Sequence, residues 1–327
     1  MYQDRKKLGF ELLLHKLRSN FGKLILVNLI FAVPLFLSVG IAAFLYLYVF
    51  RSASVILPLI LVLSAPFYSG VVALARDYSR DIRPDKILKT YLTAVKDNGL
   101  RFLCWGIVMY LGIVGCYFGF SLYSGLAASF GWIFYVVMFF LFVIAVFFLF
   151  MFYTVPLMTV SFDLRQKDIY KNSALMTFGE FKNNFFATLG TVALVAVVMI
   201  PFILISYLSS LLPVQLVKVI LTAYLPFAFG VLIPAPFALI VSHYLYPNMY
   251  AMIAGDGIPN GTNSNSDSSE KKEPVTYAAS EMQENHEPEF DIEELKNGDG
   301  EEYIFYQGKM IKRKSLLTIL EQKEEEK

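Results

Sequence analysis

Six long apolar runs dominate residues 24–246, and the polar residues between them recur in a fixed order. The runs lie near 24–49, 54–75, 102–123, 132–160, 185–211 and 214–246. Each exceeds the ~20 residues that cross a bilayer, so each predicts a transmembrane helix, some with tilt or a kink. The first is longer than the ~7–15-residue core of a signal peptide and reads as an uncleaved span that Pro34 bends or interrupts.

Polar punctuation groups the runs in pairs. Before the first run of each pair, a basic residue stands two places ahead of an Asn: Arg18 and Asn20, Lys96 and Asn98, Lys182 and Asn184. Inside the second run, a small or β-branched residue precedes a Pro: Ala65-Pro66, Val155-Pro156 and Ala235-Pro236. The order predicts three copies of one unit, near 5–76, 77–163 and 164–254. Each copy is an amphipathic helix on the membrane surface followed by a transmembrane hairpin. The Asn is expected to cap the entering helix, whose first N–H groups lack partners. The basic residue is expected to snorkel to the headgroups. The Pro residues would free the carbonyls of Val62, Phe152 and Leu232 and kink three helices, as a packing feature or a hinge.

The amphipathic segments show apolar spacing at Leu8, Leu12, Leu13 and Leu17, with charges at Lys7, Glu11 and Lys16. The second shows Ile87, Leu88, Tyr91, Leu92 and Val95, with Asp85 placed to cap it. The third begins at Asp168 and carries Ile169, Tyr170, Ala174, Leu175, Phe178 and Phe181. In the third run, Gly115 and Gly119 permit close helix approach, expected within the monomer.

Charge sets the expected orientation. Six Lys and Arg lie before or at the start of the first run, seven between Arg76 and Arg101, and four between Arg165 and Lys182. The opposite loops hold only Arg51 and Lys218. The positive-inside rule then puts both termini in the cytoplasm of a bacterial cell, with the chain multi-pass in its cytoplasmic membrane. The formal net charge of +1 conceals a basic membrane domain, 1–254, and an acidic C-terminal region. Residues 255–289 have the composition of a disordered linker. Residues 290–327 form an acidic tail in which two strand-like segments flank Gln307-Gly308, a small hairpin that needs a partner.

Composition adds little chemistry. Of 327 residues, 56% are hydrophobic and 17% charged, against about a quarter charged in soluble domains. The two Cys, Cys104 and Cys116, stand ~18 Å apart along one helix and cannot pair. His15, His243 and His286 are scattered, and no metal-ligand spacing, phosphate loop or nucleophile motif occurs. The expectation is no catalytic residue, no cofactor, no metal and no nucleic-acid partner. Polar residues at membrane depth include Asn28, Ser64, Ser69, Tyr110, Tyr117 and Thr154, none titratable near neutral pH. The docking candidates for a partner or lipid headgroup are Arg76, Arg80, Arg83 and Arg165.

At these residues the chain resembles the YesL family of bacterial integral membrane proteins, a domain of unknown function. The resemblance rests on the entry at Asn20, Pro34, Ala65-Pro66 with Ser69, Gly70 and Ala73, then Arg80 and Tyr91–Asn98. Ala65 stands where the family carries glycine. The resemblance implies a non-enzymatic accessory role beside carbohydrate uptake, with a carbohydrate permease or signalling protein as partner. The alternative is a transporter or channel for a neutral or lipidic solute. A polar cavity at the Pro kinks would favour that alternative, and apolar packing at Ser64, Thr154 and Pro236 would oppose it. The expected fold is all-α: six transmembrane helices as three repeated hairpins, each preceded by a cytosolic amphipathic helix.

Overall fold

The computed structural model describes residues 9–207, 214–254, 303–306 and 309–325. The expected linker, the Gln307-Gly308 turn, Leu8, Lys7 and His286 lie outside the described residues. The helices are α1 (Gly9–Ser19), α2 (Phe21–Tyr48), α3 (Ala53–Ser79), α4 (Ile87–Phe130), α5 (Ile133–Ser161), α6 (Gln166–Gly179), α7 (Phe181–Tyr207), α8 (Val214–Phe227) and α9 (Pro234–Ala254). A π turn, Ala228–Leu232, joins α8 to α9. Six of the helical segments are long and apolar enough to cross a membrane, with α8, the π turn and α9 forming the sixth. The chain is an integral, multi-pass membrane protein.

Contacts divide it into two compact units, Met1–Val160 with Leu164–Tyr246, and Ser161–Asp163 with Pro247–Lys327. In the first unit, burial is concentrated at the end that carries the basic loops. In α3, Ser69–Arg76 are buried without interruption, and in α5 Tyr153–Val160 are too. Before Pro66 and Pro156 the same helices are open: Ile56 is the only buried residue of 53–63, and none of 133–149 is buried. A helix enclosed on all sides needs small or apolar residues all round, which Ser69, Gly70, Ala73 and Ala75 supply in α3. The open halves are apolar on every face, as a lipid solvent allows.

Close approach is made at glycines. A Cβ on Gly70 would fall 2.5 Å from the Tyr91 ring, and one on Gly106 would fall 2.8 Å from Ala65. Between α4 and α5 the approach uses Gly112 against Phe148 and Gly119 against Leu141; Gly115 has nothing within 4 Å.

The amphipathic segments differ from expectation. The second is not a separate helix: α4 runs unbroken for 44 residues through Asn98 into the span. Asp85 is not its cap; the N-cap is Lys86, without a side-chain bond. Tyr91 explains the continuity. It is buried and donates its hydroxyl to Phe67 O at 2.8 Å, while Ser69 Oγ reaches Ala94 O at 3.3 Å. These bonds hold the first turns of α4 along α3, leaving no reason to bend. The third helix starts at Gln166, not Asp168. In α1, Lys16 is buried rather than on a solvated face. Pro34 does not interrupt α2, and α3 and α5 are continuous through Pro66 and Pro156.

The second unit is a small α+β element. β1 (Tyr303–Tyr306) pairs antiparallel with β2 (Lys309–Lys312), and α10 (Arg313–Glu325) follows. Ile311 and Leu316 form its core with Ile304, Leu317 and Leu320. Ser161–Asp163, the residues that close α5 and lead to α6, belong to it. Phe162 makes a parallel bridge to Met310, and Asp163 N donates to Met310 O at 3.1 Å. Phe162 and Met310 are both buried.

Candidate functional site

The three repeat Asn residues are all buried, at 3%, 2% and 0% exposure for Asn20, Asn98 and Asn184. None caps the helix ahead of it. Each side-chain amide turns back: Asn20 Nδ2 donates to Lys16 O, Asn98 Nδ2 to Ala94 O and Asn184 Nδ2 to Glu180 O, all at 3.1 Å. Asn184 Nδ2 also meets Met176 O at 3.1 Å. The physical reason is the buried amide's own need for a partner, which a carbonyl about one turn back supplies. Lys16 O and Met176 O also accept the N–H groups of Asn20 and Glu180, so each takes a second donor.

Basic side chains bond carbonyls at the ends of helices. Lys16 Nζ donates to Ser79 O at the end of α3 and lies 3.6 Å from Asp81 Oδ2. Arg76 Nη1 donates to Val160 O in the last turn of α5, and its Nε and Nη2 hold Asp77 Oδ1 at 3.0 and 2.6 Å. Positive charge at a helix C-terminus is favoured by the helix dipole. Arg80 lies over the Tyr246 ring at 5.1 Å and Lys23 over the Tyr78 ring at 5.8 Å. His243 Nε2 donates to Gly9 O at 2.9 Å. Together these bonds tie α1, α3, α5 and α9 at one end.

The docking candidates therefore separate. Arg76 is 4% exposed and is spent inside the protein, so it offers no face to a partner. Arg80 is half-buried, and only Arg83 and Arg165 are exposed. The turn after α3 is set by Asp81, whose φ of 61° puts a non-glycine residue in the left-handed region. Asp81 N bonds Tyr78 O at 3.2 Å and Ile82 N bonds Asp77 O at 2.9 Å, the paired pattern that closes a helix.

The three prolines meet different fates. Only the third copy has a break, and it lies upstream of Pro236. Ile233 N reaches back five residues to Ala228 O at 3.1 Å. The next helical bond, Ala235 N to Val231 O, is replaced by a side chain from α2. Asn28 Nδ2 donates to Val231 O at 2.9 Å, and Asn28 Oδ1 accepts Ala235 N–H at 2.7 Å. The amide is inserted into the helix, a recognised cause of a kink. Pro234 and Pro236, which have no N–H, flank the position.

At the depth of the prolines the interior is aromatic. Tyr68 stacks on Trp105 with centroids 6.1 Å apart, Trp105 lies 5.0 Å from Phe152, and Phe152 lies 6.0 Å from Phe237. Ser64 and Thr154 are buried beside them and return their hydroxyls to their own helices, to Ile60 O at 2.7 Å and Phe150 O at 3.1 Å. Pro236 is buried too. Among the described residues, no three His, Cys, Asp or Glu side chains come together. Cys104 and Cys116 are free thiols.

Sequence reasoning missed the burial of Lys16 and the partner of Asn28. A carboxamide at membrane depth and two prolines one residue apart were visible signals for the last. Nothing local marks Lys16, because its partners are supplied by α3. Comparison with protein-family models, curated proteins and solved structures finds no match.

Proposed function

We propose that this protein is a non-enzymatic accessory or scaffold protein of a bacterial cytoplasmic membrane, with its basic end and both termini in the cytoplasm. The observation that carries the reading is the internal use of its polar groups. Lys16, Arg76, Asn28 and the three repeat Asn residues all donate to backbone carbonyls inside the protein. Buried polar groups of this kind hold helices in a fixed arrangement. The surface left for interaction is the basic end, with Arg83 and Arg165 outward, and the C-terminal unit that includes Phe162 and Met310. By the resemblance above, the partner is a carbohydrate permease or a signalling protein.

The test is cross-linking and affinity purification from native membranes, comparing the full chain with one ending at Gly255. Recovery of one membrane transporter or signalling protein supports the reading, and its loss on truncation places the contact in the tail. Repeated recovery of the protein alone opposes it.

One observation favours a second reading, a transporter for a neutral or lipidic solute. Broken helices are common at transporter binding sites, and the break before α9 falls within the sixth span. Here the chain's own Asn28 fills it. The transporter reading requires solute flux in reconstituted vesicles that Asn28 substitutions alter.

A further inference from the structure

The first turns of α4 carry a face that the preceding reading does not use. Tyr91, Ala94 and Asn98 are turned inward and bonded, which fixes the helix against α3. The opposite side is an open groove lined by Leu88, Lys89, Leu92, Thr93 and Lys96. These positions fall on one stripe, since residues spaced by three, four and seven share a helix face. Lys89 and Lys96 are two turns apart, about 10 Å along the axis, with Thr93 between them.

The polar groups of this face are unused. Among the described residues, neither lysine has a carboxylate within ion-pair distance, and the Thr93 hydroxyl makes no hydrogen bond. This contrasts with Lys16 and Arg76, which are engaged inside the protein. Leu88 and Leu92 are each 55% exposed on the same stripe. Two ammonium groups and a hydroxyl ask for an anion. Two exposed leucines ask for hydrocarbon.

We propose that this groove binds an anionic phospholipid, with its phosphate held by Lys89, Thr93 and Lys96 and its apolar part against Leu88 and Leu92. Charge complementarity selects the headgroup, because no carboxylate lines the groove and each basic residue near an anionic surface adds attraction. The leucines select a lipid over a free phosphate ion, which has no use for them. Lysine stems lying on apolar surface with their charges at the interface are the usual form of such contacts. The site does not depend on the accessory reading, since it rests on α3 and α4 alone.

The test uses the full chain in mild detergent, titrated with phosphatidylglycerol or phosphatidylcholine and read by native mass spectrometry. The expected result is retained phosphatidylglycerol adducts, with phosphatidylcholine bound roughly tenfold less. K89Q/K96Q should remove that preference while thermal stability stays unchanged, because both side chains are exposed and unpaired. L88N/L92N should weaken adducts of phosphatidylglycerol with the lysines intact. Equal retention by wild type and K89Q/K96Q overturns the proposal. So does equal binding of the two lipids. Displacement of the lipid by millimolar inorganic phosphate would show an anion site without a lipid requirement, and also overturns it.

Discussion

Asn28 and Ala235, 207 positions apart, share a hydrogen bond of 2.7 Å that stands in for one turn of helix. The same amide donates to Val231 O, so a single side chain satisfies both backbone groups that the break before α9 leaves open. In hydrocarbon such groups have no water to turn to. The Asn is therefore part of the sixth span although it belongs to the first.

Asn28→Ala should leave the Val231 carbonyl and Ala235 N–H unpaired at full burial. A loss of about 2–4 kcal/mol is expected, from two orphaned groups at ~1–3 kcal/mol each with partial relaxation. Thermal unfolding in detergent reads it. Asn183→Ala, whose side chain bonds only Glu180 Oε2, should change stability by less than ~0.5 kcal/mol. If the two variants unfold together, the inserted amide is not holding the break.

Arg76→Met should be more damaging than its position beside a loop suggests. It removes the donor to Val160 O and leaves Asp77, itself largely buried, without its bidentate partner. Breaking a buried pair by deleting one member costs about 3–5 kcal/mol. Adding Asp77→Asn should recover part of that loss. Arg76→Lys should not rescue fully, because an ammonium cannot reproduce the planar fork that reaches α5 and Asp77 together. Folded yield after detergent extraction and thermal midpoint give the comparison.

Asp81 separates a backbone demand from a charge effect. Its φ of 61° suits glycine, while its carboxylate is half exposed and 3.6 Å from Lys16. At 3.6 Å, with the carboxylate half open to solvent, the pair contributes about 1 kcal/mol, about what relief of the backbone returns. Asp81→Gly should leave stability nearly unchanged, and Asp81→Ala should lower it by about 1 kcal/mol. An equal loss in both variants would assign the residue's role to the Lys16 pair instead.

The reach of the sequence follows from what kind of force sets each feature. The six spans were legible because hydrocarbon thickness acts on every residue of a run: runs at 54–75 and 132–160 match α3 and α5 closely. The Asn positions were legible as a pattern, but their bonds were not. Asn20 looks like an N-cap because Phe21 begins a helix, yet its amide turns back to Lys16 O of α1. The break at Asn98 was expected by analogy with the other copies and is absent, since Tyr91 packs on Gly70 and keeps α4 straight. Lys16 and Arg76 read as surface charge. Only the fold brings the ends of α3 and α5 to them. The helix α10 was overlooked although Leu316, Leu317 and Leu320 carry its spacing. Its length is short, and acidic composition masked the pattern.

The C-terminal unit makes the last prediction, and it concerns the Asp163 amide just after α5. Asp163 N–H is held by Met310 O, and Phe162 is buried opposite the same residue. A lone two-stranded hairpin is marginal in water, so β1 and β2 depend on α10 and on Phe162 for their burial. Ending the chain at Gly255 removes the partner and should expose Phe162 and free the Asp163 amide. Hydrogen exchange at Asp163 should rise at least about tenfold in the truncated chain, while amides within Ser69–Arg76 of α3 keep their protection. Met310→Asp should have the same effect in the full chain, because a carboxylate cannot be buried against Phe162 without a partner. Unchanged exchange at Asp163 in both variants would mean that the strand contact is not formed in the membrane. Faster exchange throughout α3 as well would mean that the variants destabilise the chain generally, and exchange at Asp163 would then not report the strand contact.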